Sequence, residues 1–301
     1  MNGLFGELGK KIADQWLTTL LLPGFLWVCA AALAWQLRWT HALDTKAAEP
    51  LLRPLGSDHP IGQSVAVFGG VLIAAAGAGM TAAGLAAVIR GIRPAAARSA
   101  LARHLRTIRL ERWERARRSA EQLAKDLEDL VATADSATVA VGPELAAAKA
   151  RQDAISLEAP EHATWIGDRL RATVIRVHRA YGLDVNRAWP RLWFVIPDSA
   201  RADIAAAQGS YTKAELLAGW AVLYTAVGLV WGPALVIAAV VLTVSCVQAR
   251  SATETLCQLI EATADLYGPM LAEQLRIPCE SALTPEIGAK IDEILRKDPQ
   301  T

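Results

Sequence analysis

The histidines and the paired acidic residues are the side chains with which this chain could do metal or acid–base chemistry. Only Glu158 and His162 have the i, i+4 spacing that lets two ligands share a metal on one helix, and Pro160 between them predicts a break there. Acidic pairs such as Glu111 with Glu114 lie in a densely charged stretch, where salt bridges on a solvated helix face are the better interpretation. We therefore predict no metal site and no pair of catalytic carboxylates.

Nucleophilic and nucleotide chemistry also lacks a sequence signal. The chain contains no G-x-S-x-G, P-loop, H-E-x-x-H or kinase signature. Its four cysteines show no C-x-x-C spacing, and small buried apolar residues are their expected role; they are Cys29, Cys246, Cys257 and Cys279. The expectation is a protein that is not an enzyme and carries no cofactor.

Arginine is concentrated between residues 90 and 118, where ten arginines face only Glu111 and Glu114. Such a run has three candidate interpretations: anionic lipid combined with a topology signal, an acidic protein surface including this chain's own tail, and nucleic acid. Polybasic segments beside a membrane span gain about 1 kcal/mol per charge from anionic lipid, and only Trp113 is available for base stacking. We predict anionic lipid headgroups rather than nucleic acid as the partner, with these lipid-facing residues: Arg90, Arg93, Arg98 and Arg103.

The position of this basic run relative to a membrane depends on three long windows without charged residues. Of the 301 residues 53% are hydrophobic, and no Asp, Glu, Lys or Arg occurs in 15–37, 60–89 or 216–249. Each window is longer than the roughly 20 residues that cross a bilayer core. This excludes a soluble globular domain, a disordered chain and a disulfide-stapled domain. The first window is longer than a signal-peptide core and follows residues of both charge signs, so we expect a retained membrane helix.

The windows predict four spans in a 2 + 2 arrangement. Residues 1–15 form an N-terminal amphipathic helix, and 16–90 hold the first two spans with an external loop at 38–61. Pro23-Gly24 is expected to kink or break the first span. Gly232-Pro233 divides the third window, so 216–249 is predicted as a helical hairpin rather than one long tilted helix.

The positive-inside rule places the arginine run in the cytoplasm. Residues 91–215 then form a cytoplasmic helical domain, 250–301 form a cytoplasmic helical tail, and both termini are cytoplasmic. No stretch shows the alternation of a strand, so the fold class is all-α: an integral membrane protein with four transmembrane helices and a helical cytoplasmic domain.

Proline, glycine and capping patterns predict the helix boundaries of the cytoplasmic part. A long amphipathic helix should begin at Pro94, and its apolar face should include Leu101, Leu105 and Ile108. Other starts are expected at Pro143, Pro160, Asp198, Thr212 and Pro285, and breaks, kinks or stops at Gly182, Gly209, Gly268-Pro269 and Pro278.

Two prolines and three aromatic residues between 189 and 197 predict a rigid elbow. Its residues are Trp189, Pro190, Trp193 and Phe194. We expect the three aromatic rings to be substantially buried against cytoplasmic helices or the membrane face.

Glycines spaced by seven mark the second span: Gly70, Gly77 and Gly84. Small residues let membrane helices approach closely, so this line should face a helix of the same or a neighbouring chain. A seven-residue repeat favours a left-handed crossing. A pore-lining face is the alternative. The apolar windows also lack histidine, and such an absence of ionisable groups counts against a proton-coupled transporter.

The stretch Tyr181–Trp193 has the pattern Tyr-Gly-x-Asp followed by Trp-Pro-Arg-Leu-Trp, and Pro197-Asp198 then leads into a helix and a Trp-bearing hairpin. Over about 165–275 it resembles uncharacterised multi-pass membrane proteins of high-GC bacteria. That resemblance implies the bacterial plasma membrane and a topology, and no activity. Bestrophin-type channels are similar in layout alone.

These features predict a non-enzymatic multi-pass inner-membrane protein that forms a homo-oligomer. We expect it to act as an assembly or effector module whose cytoplasmic helices contact a protein partner. The alternative is an oligomeric ion channel or pore.

Overall fold

The computed structural model describes residues 21–37, 61–96, 98–133, 143–279 and 282–296. All regular structure in these ranges is helical, without a strand, which confirms the all-α fold class. The predicted helix at 1–15 and nearly all of the predicted loop at 38–61 lie outside the described ranges. The helices that the structure describes are α1 (Leu22–Leu37), α2 (Ile61–Ala96), α3 (Ala100–Thr133), α4 (Pro143–Ile155), α5 (Trp165–Tyr181), α6 (Val185–Val195), α7 (Asp198–Gly228), α8 (Pro233–Gln274) and α9 (Pro285–Arg296).

The chain divides into two compact units. Unit 1 comprises Met1–Ile92 and Thr212–Gln248, and unit 2 comprises Arg93–Tyr211 and Ala249–Thr301. Because the boundaries fall inside α2, α7 and α8, each of these long helices contributes one part to each unit.

Among the described residues, two helices are long and apolar enough to cross a membrane. They are Val65–Gly91 within α2 and Pro233–Gln274, which is α8. Helix α1 is apolar as well, with 16 residues. It begins at Leu22, so Pro23 occupies the first turn, where its missing N–H costs no helical hydrogen bond. These helices are compatible with a membrane location.

The chain reverses between α7 and α8, as predicted for Gly232-Pro233. The Ser245 hydroxyl of α8 donates to the Ala214 carbonyl oxygen of α7 over 2.7 Å. Nearer the turn, Tyr224 belongs to the same buried cluster as Ala238. The two apolar halves therefore lie against each other as a helical hairpin and do not form one long helix.

Helix α7 runs without interruption from Asp198 to Gly228. The predicted break at Gly209 and the predicted helix start at Thr212 are both wrong. A glycine in a helix interior costs about 1 kcal/mol relative to alanine. Burial of Ile204, on one side of Gly209, and of Ala214, on the other, offsets that cost, so the helix continues. Helix α8 also continues through Pro269, where the sequence predicted a kink.

Polar caps set the start of two helices at residues other than the predicted prolines, and a glycine ends one helix as predicted. Helix α3 begins at Ala100 instead of Pro94, because the Ser99 hydroxyl accepts a hydrogen bond from the Ala102 N–H. Helix α5 begins after Thr164 instead of at Pro160, and the Thr164 hydroxyl accepts from the Gly167 N–H. The predicted stop at Gly182 is confirmed, since this residue adopts a left-handed φ of 61° and closes α5.

The predicted elbow is a helix, α6. The Asp184 carboxylate caps its first turn by accepting from the Asn186 N–H. Pro190 removes one backbone hydrogen bond from the helix, and burial of its inner face compensates for that loss. That face joins the apolar core of unit 2, in which the best-buried large residues are Leu183, Leu192, Leu271 and Ile291.

Candidate functional site

One face of α2 packs inside unit 1 through alanines: Ala75, Ala78, Ala82 and Ala86 are buried. A Cβ atom on Gly24 of α1 would overlap the Ala75 carbonyl oxygen, and one on Gly219 of α7 would overlap the Ala82 carbonyl oxygen. The backbones of α1 and α7 therefore touch the backbone of α2 at glycine, a contact that only small residues permit.

The predicted glycine line lies on another face of α2. Gly70, Gly77 and Gly84 are exposed, and a Cβ atom at each would meet nothing within 4 Å. The expectation of a contact with a helix of the same chain is therefore wrong for the described residues, and the contact with a neighbouring chain stays a prediction. The helix carries two stripes of small residues, and the glycines of α1 and α7 decide which one packs internally.

The exposed stripe is apolar and conformationally regular. Ala74 and Thr81 lie on it between the glycines at helical spacing, and both are exposed. The Thr81 hydroxyl donates to the Gly77 carbonyl oxygen over 2.8 Å, so its polar group is satisfied within the helix. This face therefore presents a shallow surface to which another helix backbone could come close.

The predicted lipid-facing arginines have different surroundings. Arg90 donates from Nε to a carboxylate oxygen of Glu215 over 2.7 Å, and Glu215 is buried. Within unit 1 this ion pair joins α2 to α7, so Arg90 has a protein partner. The Arg93 side chain lies outside the described residues. Arg98 and Arg103 are exposed, and their contact with lipid stays a prediction.

The elbow residues are less buried than predicted. Phe194 is 83% exposed, which is contrary to the expectation, whereas Trp189 and Trp193 are half-buried with ring centroids 6.2 Å apart. The buried residues of α6 are Val185, Ala188 and Leu192, which follow one another by three and four residues on its inner side. Helical periodicity rather than aromatic content identifies the inner face.

A buried arginine that the sequence did not single out is the centre of a charged network in unit 2. Arg169 of α5 is 4% exposed and donates through Nε and Nη2 to both carboxylate oxygens of Glu254, at 2.8 and 3.0 Å. Its Nη1 donates to the Thr173 hydroxyl at 2.7 Å and to Glu261 at 2.9 Å. The Thr173 hydroxyl in turn lies 3.1 Å from Glu261. The network joins α5 to α8 with every guanidinium nitrogen hydrogen-bonded.

The network perturbs the titration of its members. Burial by itself lowers the pKa of Arg169, but the hydrogen bonds to Glu254 and Glu261 raise that pKa above its ordinary value. The hydrogen bond from Arg169 holds the pKa of Glu254 below its ordinary value. Both partners are therefore charged at neutral pH, and the bidentate geometry is the one that an arginine fork forms with a carboxylate.

A second network lies next to it along α5. Asp168 is 1% exposed and accepts from the Glu161 and His162 N–H groups at 2.9 and 2.8 Å. Arg109 of α3 donates to its other oxygen at 2.8 Å and also donates to the Ile155 carbonyl oxygen. The four donors around Asp168 include the His162 ring, so that histidine contacts a structural carboxylate rather than Glu158. Asp168 thereby fixes the 155–162 connection against α3.

The spacing of α5 contains a signal that could have found these residues. Arg169, Thr173 and Val177 recur at four-residue intervals and Asp168 directly precedes Arg169, which places charged side chains on the face that also carries apolar ones. A charge on the inner face of an amphipathic helix requires a partner. The partners are distant in sequence, on α3 and α8, so the sequence could indicate a network but not its members.

Open depressions lie on the described surface of unit 2. One, of about 390 Å³, lies between α3 and α4 and is lined in part by Leu123, Pro143 and Arg151. Another, of about 410 Å³, includes Glu158, Arg176 and Arg179. In the part of the chain that the structure describes, no three His, Cys, Asp or Glu side chains are grouped so that they could hold a metal ion.

No protein-family model, curated protein or solved structure matches this chain. The resemblance to multi-pass proteins of high-GC bacteria therefore remains a prediction.

Proposed function

We propose that this chain is a non-enzymatic multi-pass protein of the bacterial plasma membrane that acts as an oligomeric assembly or effector module. The exposed small-residue face of α2, with Gly70, Gly77 and Gly84, is the observation that carries the proposal. Its spans associate with those of further copies, and its cytoplasmic helices contact a protein partner.

Four spans are proposed: α1, α2, the second half of α7 and the first half of α8. Support comes from the packing of unit 1, in which these helices meet through Gly24, Gly219 and the alanines of α2. Large apolar side chains such as Ile73, Leu72 and Val236 point outward. An outer surface of this kind is unfavourable in water and favourable in hydrocarbon.

Oligomerisation follows from the steric argument on α2. In hydrocarbon, helices associate through van der Waals contact and close backbone approach rather than through a hydrophobic driving force. A glycine in an exposed helix interior weakens that helix by about 1 kcal/mol relative to alanine. Three glycines on one open face are therefore best accounted for by a second copy that packs on them.

Orientation follows from the arginine run after α2, which the positive-inside rule places in the cytoplasm. Both termini are then cytoplasmic and the loop at 38–61 is external. A reporter fused after Thr301 is expected to read as cytoplasmic and one inserted near Asp58 as external. A C-terminal reporter that reads as external would contradict the four-span threading.

A cytoplasmic protein partner is supported by α6. Phe194 is exposed on a helix whose opposite face is anchored in the core of unit 2, so the ring is held on a rigid element. Exposed aromatic residues on rigid elements are typical anchors of protein interfaces.

The alternative is an oligomeric ion channel or pore. The same stripe favours it if several copies place Gly70, Gly77, Thr81 and Gly84 around a central axis, since small residues leave room for water. Thr81 contributes a hydroxyl to that face.

Purification in detergent followed by mass measurement tests the proposal. A complex of several chains is expected, and a single chain at all detergent concentrations would contradict it. Ion flux through liposomes that contain the purified complex then separates the two functions: a sealed membrane supports the assembly module, and a conductance that requires the protein supports the channel.

A further inference from the structure

Helix α3 carries two apolar stripes, and only one of them is buried. The inner stripe packs within unit 2, where the Trp113 ring N–H donates to the Ser156 carbonyl oxygen over 2.9 Å. The outer stripe is exposed: Leu101 by 68%, Leu105 by 43% and Ile108 by 39%. The sequence predicted these three residues on one apolar face together with Ala120; Ala120 is buried, as are Ala102 and Trp113, whereas the three large residues are exposed.

The spacing of the outer stripe is that of a single helix face. Leu101, Leu105, Ile108 and Arg112 follow one another by four, three and four residues, which keeps all of them within about 40° of one line along the helix. The inner stripe is rotated from it by about 100°, one residue along the helix. The outer leucines are therefore not needed for packing of the described chain.

Basic residues surround this stripe. Arg98 lies two residues before the start of α3, at one end of the stripe, and Arg112 lies at the other end. By helical position, His104 and Arg115 lie beside the stripe. Between residues 90 and 110 the chain has six arginines and neither Asp nor Glu. The side chains of Arg98 and Arg112 are exposed and form no ion pair with the residues that the structure describes. The surface is thus apolar along its centre and cationic at its edge.

We propose that the first three turns of α3 lie in the headgroup layer of an anionic bilayer, with Leu101, Leu105 and Ile108 inserted among the acyl chains and Arg98 and Arg112 on lipid phosphates. The inference rests on the proposed membrane location. An apolar strip bordered by arginines is the pattern of a helix that binds in the plane of a membrane surface. The chain leaves the candidate span at Gly91 and starts α3 at Ala100, so connectivity keeps this helix start near the bilayer.

This assignment changes which arginines contact lipid. Arg103 lies on the opposite side of α3 from the leucines, and Arg90 is paired with Glu215. Arg98 and Arg112 are the ones placed to bind phosphate. An acidic protein surface bound to the same charges would give protein adducts in place of lipid adducts at Leu105.

The test uses the full chain with a diazirine-bearing amino acid incorporated at one position and reconstituted in nanodiscs. The positions are Leu105 on the stripe, Thr107 on the opposite exposed face, and Ile73, which is 76% exposed on α2 and reports on the span itself. Nanodiscs contain either phosphatidylcholine alone or an added share of phosphatidylglycerol. After irradiation, intact mass identifies lipid or protein adducts.

We expect the Leu105 position to give several-fold more lipid adduct than the Thr107 position, with phosphatidylglycerol enriched in the adduct. Combining Arg98→Gln with Arg112→Gln should abolish that enrichment. Arg103→Gln with Arg106→Gln, a matched pair on the other side of the helix, should leave it unchanged. These exposed side chains have no described ion-pair partner, so loss of folding does not confound the comparison.

Three results would overturn the inference: protein adducts in place of lipid adducts at Leu105, equal lipid adducts at Leu105 and Thr107, or no preference for phosphatidylglycerol. If Ile73 gives lipid adducts in those cases, the membrane location stands and only the inference fails. If Ile73 gives none, the proposed location of α2 in the membrane fails as well.

Discussion

The interactions that stabilise unit 1 internally differ from those that stabilise unit 2. In unit 1, α1, α2 and α7 meet where glycine lies against a carbonyl oxygen, at Gly24 and Gly219, and many large apolar side chains, such as Ile73 and Val236, are exposed. In unit 2, Arg169 and Asp168 form buried charged networks beside a core of large apolar residues. Close backbone packing is the device that works in hydrocarbon, whereas burial of large side chains is the one that works in water. The packing of unit 1 is compatible with a membrane location for its helices.

The largest effect is expected from Arg169→Ala in unit 2. Removing the guanidinium leaves Glu254 and Glu261 without their shared partner, and loss of one member of a buried ion pair typically costs about 3–5 kcal/mol. Because Glu254 is partly exposed, we expect a value near the lower end of that range. Denaturant titration of the full chain in detergent measures the free energy of unfolding.

Arg176→Ala is the matched control for that change. Arg176 also faces Glu261, at 3.5 Å, but its side chain is 48% exposed, so its removal should cost less than about 1 kcal/mol. Equal losses for the two substitutions would show that the buried network does not hold unit 2 together.

Leu192→Ala should destabilise unit 2 nearly as much. Leu192 is 1% exposed in the core, and truncation of a buried leucine costs about 2–5 kcal/mol. Phe194→Ala, on the outer side of the same helix, should stay within about 0.5 kcal/mol of the wild type. A large loss for Phe194→Ala with little loss for Leu192→Ala would reverse the assignment of the inner face of α6.

Gly219→Ala tests the packing of unit 1 with the smallest change available. A methyl group at this position overlaps the Ala82 carbonyl oxygen, and overpacking costs typically about 1–3 kcal/mol. Gly69→Ala, on α2 where a Cβ meets nothing within 4 Å, should be neutral or stabilise by up to about 1 kcal/mol. The midpoint of thermal unfolding in detergent is the measurement, and a Gly219→Ala midpoint at or above that of the wild type would contradict the close contact.

Acid should lower the contribution of the Arg169 network to the free energy of unfolding. The pKa of Glu254 is lowered in the folded protein, so its carboxylate contributes stability above the ordinary glutamate pKa, and this contribution is lost as pH falls through the lowered value. Between about pH 6 and about pH 3 the wild type should therefore lose more stability than Glu254→Gln, which has no carboxylate to protonate at this position. Parallel loss in both proteins would mean that Glu254 does not contribute to the pH dependence.

The sequence predicted the elements of this fold better than their contacts. The turn at Gly232-Pro233 and the left-handed stop at Gly182 depend on local chemistry, and the structure has them where expected. The predicted break at Gly209 was wrong because packing on both sides of a weak helix residue outweighs its propensity, and the predicted start at Pro94 was wrong because the Ser99 hydroxyl caps the helix that begins at Ala100.

Contacts between helices were still harder to predict at the candidate sites. Seven-residue spacing identified Gly70, Gly77 and Gly84 as a small-residue face, but the glycines that pack within the chain are Gly24 and Gly219. Which stripe of α2 is internal depends on residues of other helices, and a periodic pattern in one helix contains no information about them. The partners of Arg169 were unpredictable for the same reason.

The most direct test of the proposed oligomer compares two leucine substitutions on α2. Gly77→Leu fills the open glycine face, and Gly69→Leu adds the same side chain eight residues earlier in α2 and about 80° round the helix, where the chain also leaves space. The proposal predicts that the wild type and Gly69→Leu purify in detergent with the mass of several chains. It predicts that Gly77→Leu remains folded and has the mass of one chain. A folded Gly77→Leu protein with the wild-type mass, or a wild type that is itself a single chain, would contradict it.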